Sequence, residues 1–109
     1  MSLTPEKITE LKAQHGELYL LEIDDPDLVD LAQVVVKAPG RTVLGRFQQD
    51  AVGGKPFKAT RQLLLDCLVY PAPEVLEAVE ARYPGVVVSL GGKVAGLSKA
   101  AVEVLEKKL

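Results

Sequence analysis

The sequence predicts an α+β fold: an N-terminal helix, a β-hairpin, then four to five helices packed around one central apolar helix. Three observations lead there. Between Lys55 and Gly85 lies the longest compact apolar run, Leu63-Leu64-Leu65 and Cys67-Leu68-Val69-Tyr70, interrupted only by Asp66. Ahead of it, Glu17 to Ile23 and Leu28 to Lys37, both rich in strand formers, flank the turn sequence Asp24-Asp25-Pro26-Asp27. Elsewhere apolar residues recur at helical spacing.

With 109 residues the chain is expected to form a single domain, 1–109, large enough for a core without disulfides or a structural metal. Aromatic residues make up only 5% and Trp is absent, so the core must be built mainly from Leu and Val. The net charge of -2 argues against a generic nucleic-acid binder, which carries a basic surplus. One Cys cannot form an internal disulfide, and a reducing, cytoplasmic compartment fits. Met1 to Gly16 reads as a polar amphipathic segment rather than a signal peptide. No apolar run approaches the roughly 18 residues that span a bilayer, so no membrane partner is expected.

In chain order, Thr4-Pro5-Glu6 starts the first helix: an N-cap, Pro in the first turn, and an acid near the positive end of the dipole. Ile8 and Leu11 lie against the body, and Gly16 stops the helix. The hairpin follows. Its second strand alternates at first and becomes continuously apolar through Val34-Val35-Val36. A two-stranded ribbon covers only one of its faces, so these valines either add a strand from a partner or are covered by helices of the same chain. After Ala38-Pro39-Gly40, Val43, Leu44, Phe47 and Ala51 form the stripe of a helix with Thr42 as its candidate cap. Gly53-Gly54 ends it.

Pro56 then starts the central helix and Pro71 stops it, with Phe57, Leu64, Cys67 and Leu68 on one side and Leu63, Leu65 and Val69 on the others. Phe47, Leu64, Cys67, Leu68 and Tyr70 are the expected core. Pro73 starts the next helix, whose narrow stripe is Val75, Leu76 and Val79, and Tyr83-Pro84-Gly85 closes it. Val86 to Gly96 is ambiguous. Three consecutive valines favour a strand, whereas Val86, Leu90, Val94 and Leu97 fit the helix that is preferred here. Ser98 is the expected cap of a last helix, Lys99 to Lys108, with Ala101, Val102, Leu105 and Leu109 on its apolar side.

No catalytic constellation appears. Gly54-Lys55 and Gly92-Lys93 fail the phosphate-loop pattern, since Gln49 and Pro56, or Val87 and Val94, stand where its first Gly and its Ser/Thr belong. A calcium loop starting at Asp24 would put Val29 and Val35 at its glycine and glutamate positions. His15 is explained as a cation at a helix C-terminus, and Cys67 as a small core hydrophobe. Gly92-Lys-Val-Ala-Gly96 matches a close-packing pattern that is weak outside membranes. Asp66, an acid in an apolar helix, needs solvent or a partner, for which Arg41, Arg46, Arg61 and Arg82 are candidates. No metal site and no cofactor is expected.

The run Leu63-Leu64-Leu65-Asp66-Cys67-Leu68-Val69-Tyr70-Pro71, with Glu74 and Tyr83-Pro84-Gly85, resembles small proteins of the tail-gene clusters of long-tailed phages and prophages. Lys37-Ala38-Pro39, Arg46-Phe47, Asp50 and Lys58-Ala59 are similar to that group, as are Leu3-Thr4-Pro5-Glu6 and Leu18-Tyr19-Leu20-Leu21. Gly45 and the glycine-rich Gly91 to Gly96 depart from it. The resemblance implies a tail assembly chaperone that binds the tape-measure protein, or another tail protein, in the bacterial host cytoplasm. Such a role calls for exposed apolar surfaces and self-association rather than activated nucleophiles. The candidate surfaces are Val34-Val35-Val36, the Val75-Leu76-Val79 stripe and the last helix. Two rival classes stand beside it. One is a ring-forming virion component, such as a head-tail connector or tail terminator subunit. The other is a small enzyme or ligand-binding protein with a pocket of Asp66, His15, Arg46 and Tyr70.

Overall fold

The computed structural model of the chain describes residues 3–99 and 104–109. Its elements are helix α1 (Pro5–His15), strand β1 (Tyr19–Glu22), a 3-10 helix (Pro26–Leu31), strand β2 (Gln33–Val36), helices α2 (Arg41–Val52) and α3 (Pro56–Cys67), strand β3 (Leu68–Tyr70), and helices α4 (Pro73–Arg82) and α5 (Gly85–Leu97). The α+β expectation holds, with helix predominating. The three strands form one antiparallel sheet in the order β1-β2-β3.

Helix α1 starts as its sequence dictates. Thr4 Oγ1 accepts from the Lys7 N–H at 3.1 Å, with Pro5 in the first turn. It stops at Gly16, whose φ of 79° an L side chain rarely adopts and whose N–H closes on Lys12 O at 2.8 Å.

The expected second strand is shortened from its N-terminal side. Asp25 Oδ1 accepts from the Asp27 N–H at 2.9 Å and caps a 3-10 helix with Pro26 in its first turn. At three residues per turn Leu28 and Leu31 share one face and pack into the core, while Asp27 and Asp30 stay exposed. That arrangement overrides the alternation that suggested a strand from Leu28. Regular pairing begins only at Gln33, in the register Glu22↔Gln33 through Tyr19↔Val36.

The central helix is also shorter than predicted. It ends at Cys67, and Leu68 to Tyr70 pass directly into β3, paired with β2 as Val36↔Leu68 and Val35↔Tyr70 with an irregularity between. The residue before a proline is biased to extended backbone, which suits Tyr70 ahead of Pro71. The Lys37 N–H takes up the Cys67 carbonyl at 3.0 Å, so the last helical oxygen is used by the sheet. The Tyr70–Pro71 peptide is cis.

The core lies between one face of the sheet and the helices. Leu31, Val34, Val36, Leu63, Leu64, Cys67, Leu76, Val87 and Val94 are at most 2% exposed. Of the expected core, Leu64 and Cys67 are fully buried, whereas Phe47 and Leu68 are half-buried against that cluster and Tyr70 is half-buried at its margin. Phe57 is corrected outright: at the first turn of α3 it is 47% exposed. Helices α2 and α3 pack antiparallel through the turn at Gly53-Gly54, where Gly54 has a φ of 86°. Helix α5 crosses α3 closely, and Gly91 is the contact. A Cβ there would stand 2.3 Å from Thr60 Cγ2 and 3.2 Å from Thr60 O. The close-packing glycine is therefore Gly91 and not the Gly92/Gly96 pair, where an added Cβ would meet nothing within 4 Å.

The ambiguous Val86 to Gly96 segment is helix throughout. The expected last helix, by contrast, is not formed at 104–109, which has no regular structure and leaves Val104, Leu105 and Leu109 exposed. Ala101 and Val102 lie outside the described residues.

Candidate functional site

The valine run, a candidate partner surface in the sequence, is the centre of the sheet and is covered by its own chain. Val34, Val35 and Val36 are 0%, 5% and 0% exposed, with β1 on one side and β3 on the other. The third strand, formed by residues whose sequence pattern continues the central helix, supplies the missing cover. The Val75-Leu76-Val79 stripe also turns inward: Leu76 is 2% exposed, and Val75 and Val79 pack against the core.

The sheet's open edge is β1. The Ile23 N–H donates to the Ala32 carbonyl at 3.0 Å, so Ile23 faces β2. Antiparallel pairing alternates, so Leu21 and Tyr19 also direct their backbone groups to β2, while those of Leu20 and Glu22 point away from the sheet. Lys37 binding Cys67 on the opposite side of β2 agrees with this phase. The two edges differ in protection. β3 is three residues long, irregular in its pairing and followed at once by Pro71, all features that blunt an edge. β1 has neither proline nor irregularity, and Leu20 is 46% exposed.

Beside β1 runs an open groove of about 820 Å³. Leu20, Leu21 and Ile23 line it from the strand side, and Val86 and Leu90 from α5. Its rim carries charges of both signs: Glu22, Asp25 and Asp27 on the strand side, Arg82 and Lys93 on the helix side. Arg82 stacks on Tyr83, with its guanidinium carbon 5.5 Å from the ring centre. The arrangement can take an extended apolar segment, with backbone hydrogen bonds from Leu20 and Glu22 and side-chain contacts with α5.

A second, wider groove of about 1120 Å³ lies between α1, the 3-10 helix, β3 and α4, with Leu11, Val29, Val69, Tyr70 and Val75 along it. Its strand is the blunted edge.

The rival pocket of Asp66, His15, Arg46 and Tyr70 is not assembled. Arg46 and Asp66 meet, and Gln62 Nε2 donates to Asp66 Oδ1 at 2.9 Å. Tyr70 lines the second groove, which none of the other three reaches. His15 is exposed at the end of α1. A second ionic cluster ties α3 to α4, where Arg61 Nε donates to both carboxylate oxygens of Glu80 at 3.0 Å and Arg61 Nη2 lies 3.5 Å from Glu77. These are surface ties between helices, each partner having a structural counterpart.

Among the described residues, two titrating groups are displaced. Burial pushes the Cys67 thiol up, the neighbouring Asp66 charge adds to this, and Lys37 opposes it, the reverse of what an activated nucleophile needs. The Tyr19 phenol is raised by its hydrogen bond to the Glu17 carboxylate at 3.1 Å. Among the described residues no group of three or more His, Cys, Asp or Glu side chains could hold a metal ion. No helix among them is long and apolar enough to cross a membrane.

Sequence reasoning did not single out β1 because the triple valine was the stronger apolar signal. Tyr19-Leu20-Leu21-Glu22 marks a strand but carries no alternation that would show which edge is open.

Comparison with solved structures shows the same fold in the uncharacterised protein rbstp2171 from Bacillus stearothermophilus, with a TM-score of 0.77 at 21% identity over 92% of this chain and 99% of that one. No curated protein matches the chain. Residues 11–105, from the buried Leu11 of α1 through all three strands and past α5, match a domain of unknown function, DUF6848, and with that span covered the chain belongs to the DUF6848 family.

Proposed function

We propose that the protein is a non-enzymatic binding domain that receives an extended apolar segment of a protein partner along β1. Its biological setting, on the resemblance of the Leu63–Pro71 run and its flanks, is phage or prophage tail morphogenesis. There it acts as an assembly chaperone for the tape-measure protein in the host cytoplasm, with protein rather than nucleic acid or membrane as its partner. One observation carries the binding reading: β1 is an unprotected strand edge that opens onto an apolar groove, while the opposite edge is blunted. Soluble proteins generally block such edges unless they are used. A long apolar client needs to be held extended and released intact, and main-chain pairing with shallow side-chain contacts does this without chemistry.

The test is co-expression with a tape-measure protein drawn from the chain's own gene neighbourhood. Wild type should co-purify with the client, and Leu20→Pro should not. Proline at position 20 removes only an N–H that points away from the sheet, so the monomer's melting temperature should change little. Retention of the client by Leu20→Pro, or a gene neighbourhood without tail genes, would overturn the corresponding half of the reading. A closed ring in sedimentation at micromolar concentration would favour a structural virion component instead.

A further inference from the structure

We infer that two copies of the chain pair through β1, antiparallel about a two-fold axis at Leu20, and that a client must separate them to reach the edge. This rests on the strand-addition reading of β1 and names the strand that holds the edge when no client is bound. An isologous contact of this kind closes at two copies, so the species formed is a dimer and not a ring.

β1 is complementary to itself in one register. Its outward backbone groups belong to Leu20 and Glu22, so a second β1 adds only where even-numbered residues oppose even-numbered ones. An axis at Glu22 sets two carboxylates directly opposite each other, which is repulsive. An axis at Leu21 sets Leu20 against Glu22, and Glu17 against Asp25 just beyond the strand ends. An axis at Leu20 opposes no two acids: Leu20 meets its own counterpart, Tyr19 meets the second copy's Leu21, and Glu22 meets the second copy's Leu18. Burial favours the same register. Leu20, 46% exposed in the single chain, gains an apolar neighbour on the outer face. Tyr19 and Leu21, half-buried against the core, continue the apolar inner layer across the seam.

A second copy also brings a helix, which a client peptide does not. The two-fold axis stands perpendicular to the sheet, so both helical layers lie on the same side of a six-stranded sheet. Helix α5, which lines the groove beside β1, then faces its counterpart across the seam. Its exposed side suits a close neighbour. Gly85, Ser89, Gly92 and Gly96 follow one another along one helical row, and an added Cβ at any of the three glycines meets nothing within 4 Å. The chain's own packing therefore requires none of them, although glycine is a poor helix former. Beside the row Val88 is 53% exposed, and small residues at a contact let two helices approach closely.

Sedimentation of the full chain and cysteine cross-linking test this. From about 1 to 100 μM wild type should pass from monomer to dimer. Leu20→Pro lacks the outward N–H and should stay monomeric, with a thermal midpoint near wild type. Gly92→Leu should move the transition to about 10-fold higher concentration. Under mild oxidation Leu20→Cys should form a covalent dimer, since directly opposed Cα atoms stand about 5.5 Å apart. Glu22→Cys, whose two copies lie about 13 Å apart along the strands, should not. Wild type, whose Cys67 is 1% exposed, is the control that does not cross-link. Wild type that stays monomeric, a dimer unchanged by Leu20→Pro and Gly92→Leu, or cross-linking at Glu22→Cys instead of Leu20→Cys overturns the inference. Capture of the tape-measure protein separates the two readings. A monomeric wild type that captures it overturns the dimer and leaves strand addition standing, whereas a dimer cross-linked at Leu20 in a chain that captures nothing leaves the dimer standing and overturns the client.

Discussion

Gly91 of α5 faces Thr60 of α3 so closely that no side chain fits between them: an added Cβ would lie 2.3 Å from Thr60 Cγ2 and 3.2 Å from its carbonyl oxygen. Thr60 cannot turn aside freely. It is β-branched, and its hydroxyl donates to Pro56 O at 2.9 Å. Gly91→Ala should therefore cost about 1–3 kcal/mol by overpacking, less the gain of up to about 1 kcal/mol from better helix propensity. Gly92→Ala and Gly96→Ala, which meet nothing within 4 Å, should instead stabilise by roughly 0.5–1 kcal/mol. Denaturant melts of the three variants check the ordering, and Thr60→Ser should restore much of what Gly91→Ala loses.

Leu64 is fully buried at the centre of α3, and Leu64→Ala should destabilise by about 2–5 kcal/mol. Leu68, half-buried in β3 rather than in the helix, should cost less on the same substitution. Equal losses at the two positions in urea unfolding would argue against the helix ending at Cys67.

Val35→Lys should be severely destabilising. The side chain is 5% exposed on the central strand, and burying an ammonium there without a partner costs several kcal/mol. Thermal unfolding should show a large drop in midpoint or no folded protein, whereas Leu20→Lys on the open edge should melt near wild type.

The pair Arg46–Asp66 joins α2 to α3 at a site where Arg46 is 53% exposed. Solvent screens it, so a double-mutant cycle with Arg46→Ala and Asp66→Ala should return a coupling of about 0.2–1 kcal/mol that shrinks as salt is added.

Cys67 sets an alkaline limit. Its thiol is raised in the folded state from the ordinary 9.0, so the unfolded chain loses that proton first as pH rises. The contribution is fully present below pH 9.0 and is lost progressively above it, up to the folded-state value. Melting temperature should fall over that range in wild type and fall less in Cys67→Ala, measured against each protein's own neutral-pH midpoint.

Much of the fold was legible because local chemistry and packing agree. Thr4-Pro5 capping α1, Pro56 and Pro73 opening α3 and α4, and the Val86, Leu90, Val94 spacing of α5 each point to the element observed. The misreadings fall where a local signal is ambiguous and a distant partner decides. Leu28 to Leu31 satisfy both a strand and a 3-10 pattern, and the Asp25 cap selects the second. Leu68 to Tyr70 could continue a helix, but the unpaired side of β2 draws them into the sheet. That single exchange buries the valines that were candidates for a partner surface and leaves β1 as the open edge. Asp66 found its partner among the arginines proposed, because an acid on the outer face of α3 needed a cation from its antiparallel neighbour.

The direct passage from α3 into β3, with no loop between Cys67 and Leu68, has a mechanical meaning. A loop between a helix and a strand absorbs relative motion; here there is none to do so. An axial shift of α3 must be transmitted to the strand paired with Val35 and Val36, and a rotation of α3 would lever both its contact with α5 and the sheet register. Helical layer and sheet are thus geared together and should open as one foldon, so tension applied across α3 would be felt at β2 before either terminus gives way.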